Sequence, residues 1–370
     1  MLRVHAAADG GLARVRIPGG ILSGSQIAVL ADAAADLGNG AVEVTSRANV
    51  QVRGLADGAE RELGARLRAA GLLPSATHER VRNIVASVLS GRDGDGLLDV
   101  RPLIAELDAQ LCADPGLAEL PGRFLFTLDD GRGDVVAMRG DVGLYAVDHD
   151  RLALVLGGVD SGLRVHPTEG VALALDAARA FLRVRTTEWR VAELAEDLPL
   201  PGVRGAPVAV PPTPRRTPLG EIAQRDGRRA YSGLVPLGRL DPASLTGAGE
   251  IIVTPWRGVV IPDLTDMPDF PGLVTTQDWA GLTSCAGRPG CAKSLTDVRA
   301  DAAAARAAGG LPVHWSGCER QCGHPPDQHI AVVAVGQSGG YEVRLDGEVR
   351  ARSRDLTVTA TAVATTRRNQ

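Results

Sequence analysis

The sequence predicts an α/β chain built from two similar units with two added lobes. Three observations lead there. A proline-rich stretch at 196–218, holding Asp197-Leu-Pro-Leu-Pro201 and Pro211-Pro-Thr-Pro214-Arg-Arg-Thr-Pro218, cannot continue a helix or a central strand and divides the chain as a linker. Segments on its two sides recur in one order. Four of the five cysteines fall within 38 residues of the C-terminal part.

The first unit opens on Val15-Arg-Ile-Pro-Gly-Gly-Ile-Leu22. Ser25 to Leu37 has the Ala/Leu pattern of a helix, ended by Gly38-Asn-Gly40. Val42 to Val52 alternates apolar with polar residues and reads as one strand with a dry face and a wet face. On such a strand Arg47, Gln51 and Arg53 point to one side. Ala70-Gly-Leu72 and Arg82-Asn-Ile-Val-Ala-Ser87 close the unit. The second unit runs Leu234-Val-Pro-Leu-Gly-Arg-Leu240, Ile251-Ile-Val-Thr-Pro-Trp-Arg257-Gly-Val-Val-Ile261, Pro271-Gly-Leu273 and Leu282-Thr-Ser-Cys285. Pro18 matches Pro236, Gly20 matches Gly238 and Thr45 matches Thr254, and the common order is strand, helix, strand, helix, loop.

Between the units, Arg123 to Leu128 and Arg151 to Leu156 read as strands and Val171 to Arg185 as a helix. After the first cysteine pair, Leu295 to Ala308 is Ala-rich and helical in pattern. His329 to Val335 and Tyr341 to Leu345 read as a closing hairpin.

With 370 residues the chain has room for two or three domains. A net charge of −4 without a basic tract gives no general attraction to nucleic acid. No apolar run reaches membrane-spanning length. The start of the chain lacks a charged-then-apolar signal pattern, so the expected location is the cytoplasm.

The cysteines stand as Cys285-x5-Cys291 and Cys318-x3-Cys322, each pair ringed by Gly and Pro. Four thiolates supply one ligand per iron of a 4Fe-4S cluster, and glycines let backbone approach a bulky inorganic core. Structural zinc is the competing reading, although zinc pairs usually leave two to four residues between ligands. Disulfides need an oxidising compartment, and unrelated buried thiols leave the clustering unexplained. Cys112, alone in Leu-rich sequence, reads as packing.

Together the Arg14-x-Arg16-x-Pro18-Gly-Gly opening, the Thr45-x-Arg47-x3-Gln51 strand, Arg82-Asn83, the strand near 123 and both cysteine pairs resemble the siroheme sulfite and nitrite reductase superfamily. The resemblance covers nearly the whole chain. It implies two pseudo-twofold ferredoxin-like half-domains forming a central domain, plus two α/β lobes. The boundaries are then 1–88 for the first half, 89–195 for the first lobe, 196–218 for the linker, 219–284 for the second half and 285–370 for the cluster-bearing lobe. Within the superfamily the chain is most similar to the precorrin-3B synthases. It is short for a reductase. The reductases' Lys-Phe-Lys triplet is here Arg123-Phe124-Leu125, and Thr254-Pro255-Trp256-Arg257-Gly258 resembles the synthases' second repeat.

That resemblance implies precorrin-3A, a carboxylate-rimmed tetrapyrrole, and dioxygen as substrates, with hydroxylation at ring carbon 20 and lactone closure. Arg14, Arg82 and Arg123 match groups at the reacting centre. Arg16, Arg47, Gln51, Arg53 and Arg257 are the candidates for gripping the macrocycle, since guanidinium forks onto carboxylates and stays charged. Cys322 matches the cysteine that bridges cluster and siroheme in the reductases. A mononuclear non-haem iron is also implied, with His314, His324 and His329 beside the second cysteine pair as candidate ligands. Siroheme itself is the cofactor if the chain is a reductase. No Gly-x-Gly-x-x-Gly follows a strand, so electrons are expected from NADH through a separate reductase, or from a ferredoxin.

Overall fold

The computed structural model describes residues 2–202, 204–325, 327–336 and 340–368. Its centre is a pair of five-stranded antiparallel sheets of one topology. The first runs, in spatial order, Val4–Ala7, Gly10–Val15, Val50–Leu55, Val42–Val44 and Arg239–Leu240. The second runs Gly220–Ala223, Arg229–Leu234, Gly258–Leu264, Glu250–Val253 and Ile21–Ser23. Each half therefore gives its last strand to the other: Arg239 pairs with Glu43, and Ile21 pairs with Ile252. One apolar core runs through both, joining Val42, Val44 and Val50 to Ile251, Val253 and Val259.

The repeat extends to individual turns. The stretch expected as one strand from Val42 to Val52 is a hairpin, because Thr45 turns the chain. Its hydroxyl accepts from the amides of Arg47 (3.3 Å) and Asn49 (3.2 Å), which reverses the backbone before a strand can continue. Thr254 does the same in the second half, accepting from the amide of Gly258 at 2.9 Å. Ala48 and Arg257 take matching left-handed conformations, with φ of 54° and 60°. Arg47 consequently sits in the turn and not on the strand that carries Gln51 and Arg53. The halves differ in their helices. Gly24–Leu37, capped by a Ser23/Gln26 box, and Ala59–Ala69 belong to the first half. The second half has only the 3-10 turn Pro242–Leu245 in place of the first helix, since Gly247 and Gly249 follow at once.

Two lobes flank this centre and also share a topology. Each sheet has three parallel strands followed by two antiparallel ones. The first lobe uses Ile84–Ala86, Phe126–Asp129, Val142–Ala146, Leu152–Leu156 and Val159–Val165, covered by helices Arg101–Ala113 and Pro167–Val184. The second uses Leu282–Ser284, Val313–Ser316, Ile330–Val335, Gly340–Leu345 and Glu348–Ser353, with helices Val298–Ala304 and Leu356–Arg368. Ile84–Ala86 and Leu282–Ser284 thus belong to the lobe sheets, although the sequence boundaries at 88 and 284 put them in the halves. The helix expected over Leu295 to Ala308 is limited to Val298–Ala304, capped by the Asp297 side chain. The proline-rich stretch lies along the first lobe, where the Val208 amide donates to Asp160 at 2.7 Å and the Arg215 amide to the Gly133 carbonyl at 3.2 Å.

Candidate functional site

The sulfur loops follow the C-terminal ends of two adjacent parallel strands. Cys285 continues Leu282–Ser284 and donates its amide to the Trp315 carbonyl at 2.9 Å, while Cys318 lies two residues past Val313–Ser316. The Gly317 amide donates to Cys285 Sγ at 3.3 Å. Gly317 is obligatory there, because a Cβ on it would stand 1.7 Å from Ser294 Oγ. Burial pushes the Cys285 thiol up, and the neighbouring Cys318 and Cys291 add to the rise against the amides of Gly317 and Gly287. All four thiols are free, and Cys322 is exposed. Four unpaired thiols on two loops at one sheet edge, with an amide already aimed at sulfur, fit the donor set of a 4Fe-4S cluster.

The second feature is a group of arginines without carboxylate partners. Arg14 and Arg16 come from the end of Gly10–Val15, Arg47 and Arg257 from the two matching turns, and Arg123 from the approach to Phe126–Asp129. Among the described residues none of the five forms an ion pair, and the Arg16 Nε is buried with no hydrogen-bond acceptor. Burial pushes Arg16 down to about 9, with Arg14 and Arg47 adding like-charge repulsion. Arg47 is pushed down to about 10 by burial and then by Arg190, with Arg14 and Arg123 also contributing against Asp141. Burial lowers Arg14 and Arg257 as well. Gln51, its amide turned to put oxygen forward, accepts from Arg14 Nε (3.1 Å) and Nη2 (2.8 Å). Desolvated cations held together are unfavourable in the free protein and favour a ligand bearing several anionic groups. Arg257 lies on the sulfur side: a Cβ built on Gly323, next to Cys322, would be 3.7 Å from its Nη2, and the charges that reach it are those of Glu43 and Arg299.

Two expected members are absent from this group. Arg82 is buried and spends its fork on Asp108, Nε to Oδ1 and Nη2 to Oδ2 at 2.7 Å each, with Nη1 on the Leu72 carbonyl. Expected at the reacting centre, Arg82 is thus not one of the unpaired guanidiniums. Arg53 likewise forks onto Asp9 and is not free to hold a substrate. Arg190, which no motif marks, adds its charge beside Arg47 while ion-paired to Asp141 at 2.9 Å. Leu125, at the place of the reductases' second lysine, is buried against Val85 and Val135. The chain contains a single lysine, Lys293, exposed two residues after Cys291, a composition signal open to inspection in the sequence.

The histidines beside the second pair form a loose group. His314 is buried, and its ring lies 6.5 Å from His324 and 6.4 Å from His329. Burial pushes His314 down to about 3, helped by Arg257, so it is neutral. Among the described residues, the only His, Cys, Asp or Glu atoms gathered in threes within 4.8 Å are those of Asp129, Asp130 and Asp134. The three imidazoles therefore do not form a closed ligand set for a second iron, and no chemistry is derived through one.

Residues 5–70 match the nitrite/sulfite reductase ferredoxin-like half domain. The solved structure of the Mycobacterium tuberculosis NirA protein superposes with a TM-score of 0.72 over 93% of this chain and 77% of that one, at 21% identity. The fold is that of the nitrite and sulfite reductases. Similar proteins include the ferredoxin–nitrite reductase of Synechococcus elongatus, 28% identical over 91% of this chain and 78% of its own. The precorrin-3B synthase of a Sinorhizobium species is 26% identical over 92% of this chain and 80% of its own. Among the described residues no helix is long and apolar enough to cross a membrane.

Proposed function

We propose that this protein is an iron–sulfur oxidoreductase of the precorrin-3B synthase type, taking precorrin-3A and dioxygen to precorrin-3B. The observation that carries the choice is the missing lysine pair. Reduction of a small anion in the superfamily relies, by the resemblance, on two lysines. Here one of those positions is the buried Leu125 and the only lysine is Lys293 on the sulfur loop. What the chain does offer is guanidinium without ion pairs, which suits the carboxylates around a tetrapyrrole.

Bound at Cys285, Cys291, Cys318 and Cys322, the cluster would supply electrons one at a time. Arg14, Arg16, Arg47 and Arg123 would fork onto ring carboxylates, and for Arg14, Arg16 and Arg47 such a contact would offset the desolvation that now depresses their proton affinity. Gln51 holds the Arg14 fork in place. Arg257 would hold the macrocycle edge nearest Cys322. A ferredoxin, or a reductase fed by NADH, would deliver electrons from outside the chain.

The second reading is a siroheme-dependent nitrite or sulfite reductase, and the 28% identity to a ferredoxin–nitrite reductase favours it. Iron, sulfide and tetrapyrrole analysis of protein purified without oxygen separates the two. Cluster without siroheme, together with oxygen-dependent consumption of precorrin-3A, supports the synthase. Siroheme absorption with nitrite or sulfite turnover overturns it. Zinc in place of iron and sulfide overturns both.

A further inference from the structure

Arg53 links the first central sheet to the sulfur loop. Its Nε and Nη2 fork onto Asp9 at 3.1 and 2.9 Å, and Nη2 also donates to the Gly290 carbonyl at 3.0 Å. Gly290 immediately precedes Cys291. The contact is tight, since a Cβ on Gly290 would stand 3.1 Å from Asp9 Oδ2 and 3.2 Å from Arg53 Nη2. Glu43 extends the network, 3.8 Å from Arg53 Nε and 2.5 Å from Arg299 Nη2 on the helix that follows the loop. The Arg53 side chain is 8% exposed and that of Asp9 18%, so their charges act through little water. The guanidinium is also close enough to Cys291 for the thiolate to act on it electrostatically.

The opposite lobe has a latch at the corresponding place. There the loop after Ser87 carries the cation, and Arg92 reaches Glu250 at 2.7 Å and Asp263 at 3.1 Å on the second central sheet. Each lobe loop is thus fastened to one half of the centre. Only on the sulfur side does the cation belong to the sheet and grip the loop backbone next to a cysteine.

We propose that Arg53 is a positioning residue for the iron–sulfur cluster: with Asp9 it latches the loop ending in Cys291 to the first central sheet, and its charge sets the cluster's reduction potential. The inference rests on the four cysteines holding a cluster. A fixed positive charge beside a ligand favours the reduced, more negative cluster, and a nearby carboxylate opposes it.

The test is a potentiometric titration of the cluster, followed by electron paramagnetic resonance, in wild type, Arg53→Gln, Arg53→Lys and Asp9→Asn. Iron and sulfide are assayed first in the wild type, where their absence would overturn the cluster reading itself. With the cluster present, Arg53→Gln should shift the midpoint to more negative potential and Asp9→Asn to more positive, with Arg53→Lys between wild type and Arg53→Gln. Shifts of one sign in both, or none in either, would overturn the proposal. If Arg53→Gln cannot hold its cluster, the near-isosteric Asp9→Asn decides alone, and an unmoved midpoint there sinks the idea.

Discussion

Ser87 and Cys285 occupy one position in two copies of the same sheet. The Ser87 amide donates to the Leu128 carbonyl at 2.9 Å, and the Cys285 amide to the Trp315 carbonyl at 2.9 Å. The Asp130 amide donates to Ser87 Oγ at 3.0 Å, as the Gly317 amide does to Cys285 Sγ at 3.3 Å. Where the second lobe presents sulfur, the first closes its loops with carboxylates. Asp129 accepts from the amides of Gly131, Gly133, Val135 and Val136, and Asp134 from Ser87 Oγ at 2.6 Å and the Val88 amide at 3.2 Å.

That closure makes the first lobe pH-sensitive. Burial, then the nearby Asp129 charge, pushes Asp134 up to about 7, above the ordinary aspartate value of about 3.9. The raised carboxyl binds its proton more tightly folded than unfolded, so its stabilising contribution is complete below about pH 4 and lost as pH rises through about 7. The denaturation midpoint should fall between pH 5 and 8 in the wild type and fall less in Asp134→Asn, whose amide copies the protonated acid. Parallel profiles would show that Asp134 is already ionised in the folded chain.

Arg82→Ala should act on stability before activity. It leaves Asp108 without its partner and a buried cavity behind, a loss of about 3 kcal/mol by the behaviour of broken buried pairs. Denaturant titration measures it. An unchanged midpoint with lost turnover would return Arg82 to the reacting centre.

Removing Arg16 should have opposite effects on stability and binding. Arg16→Met takes a desolvated guanidinium, its Nε buried without an acceptor, out of the free protein, so the ligand-free melting temperature should rise. Tetrapyrrole binding should weaken roughly 10- to 100-fold, the loss of one charge-assisted hydrogen bond of about 1.5–3 kcal/mol. Calorimetry on the same sample reads both.

The crossing between the halves depends on Gly20. Its φ is +73°, and a Cβ there would stand 2.1 Å from the Val253 carbonyl oxygen. Gly20→Ala should cost about 3 kcal/mol, from left-handed strain and overpacking together. Gly40, with φ +76° and nothing within 4 Å, provides the control and should cost only about 1–2 kcal/mol. Equal losses in the two variants would mean that the backbone conformation, not the contact, matters at Gly20.

Much of this was legible in the chain. Cysteine spacing marked both sulfur loops, prolines marked the linker, and the pairs Pro18/Pro236, Gly20/Gly238 and Thr45/Thr254 marked the repeat, because turns demand particular residue types. The alternation from Val42 to Val52 concealed a hairpin, since a hydroxyl-stabilised turn has the same apolar pattern as the strands it joins.

The sequence by itself determined which residues could carry the chemistry: the four thiols and the surplus of arginine over lysine. Tertiary structure alone decided which of those arginines are available. Arg53 and Arg82 are held by Asp9 and Asp108, 44 and 26 residues away, whereas Arg14, Arg16 and Arg47 form no ion pair among the described residues, although the charges of Glu79 and Asp141 reach them. The exchange of edge strands was equally invisible, and although the sequence aligned the segments ending in Ser87 and Cys285, only the structure showed that both belong to lobe sheets. Local sequence sets backbone turns and side-chain chemistry, but whether a charge finds a partner depends on distances that exist only after the chain has folded.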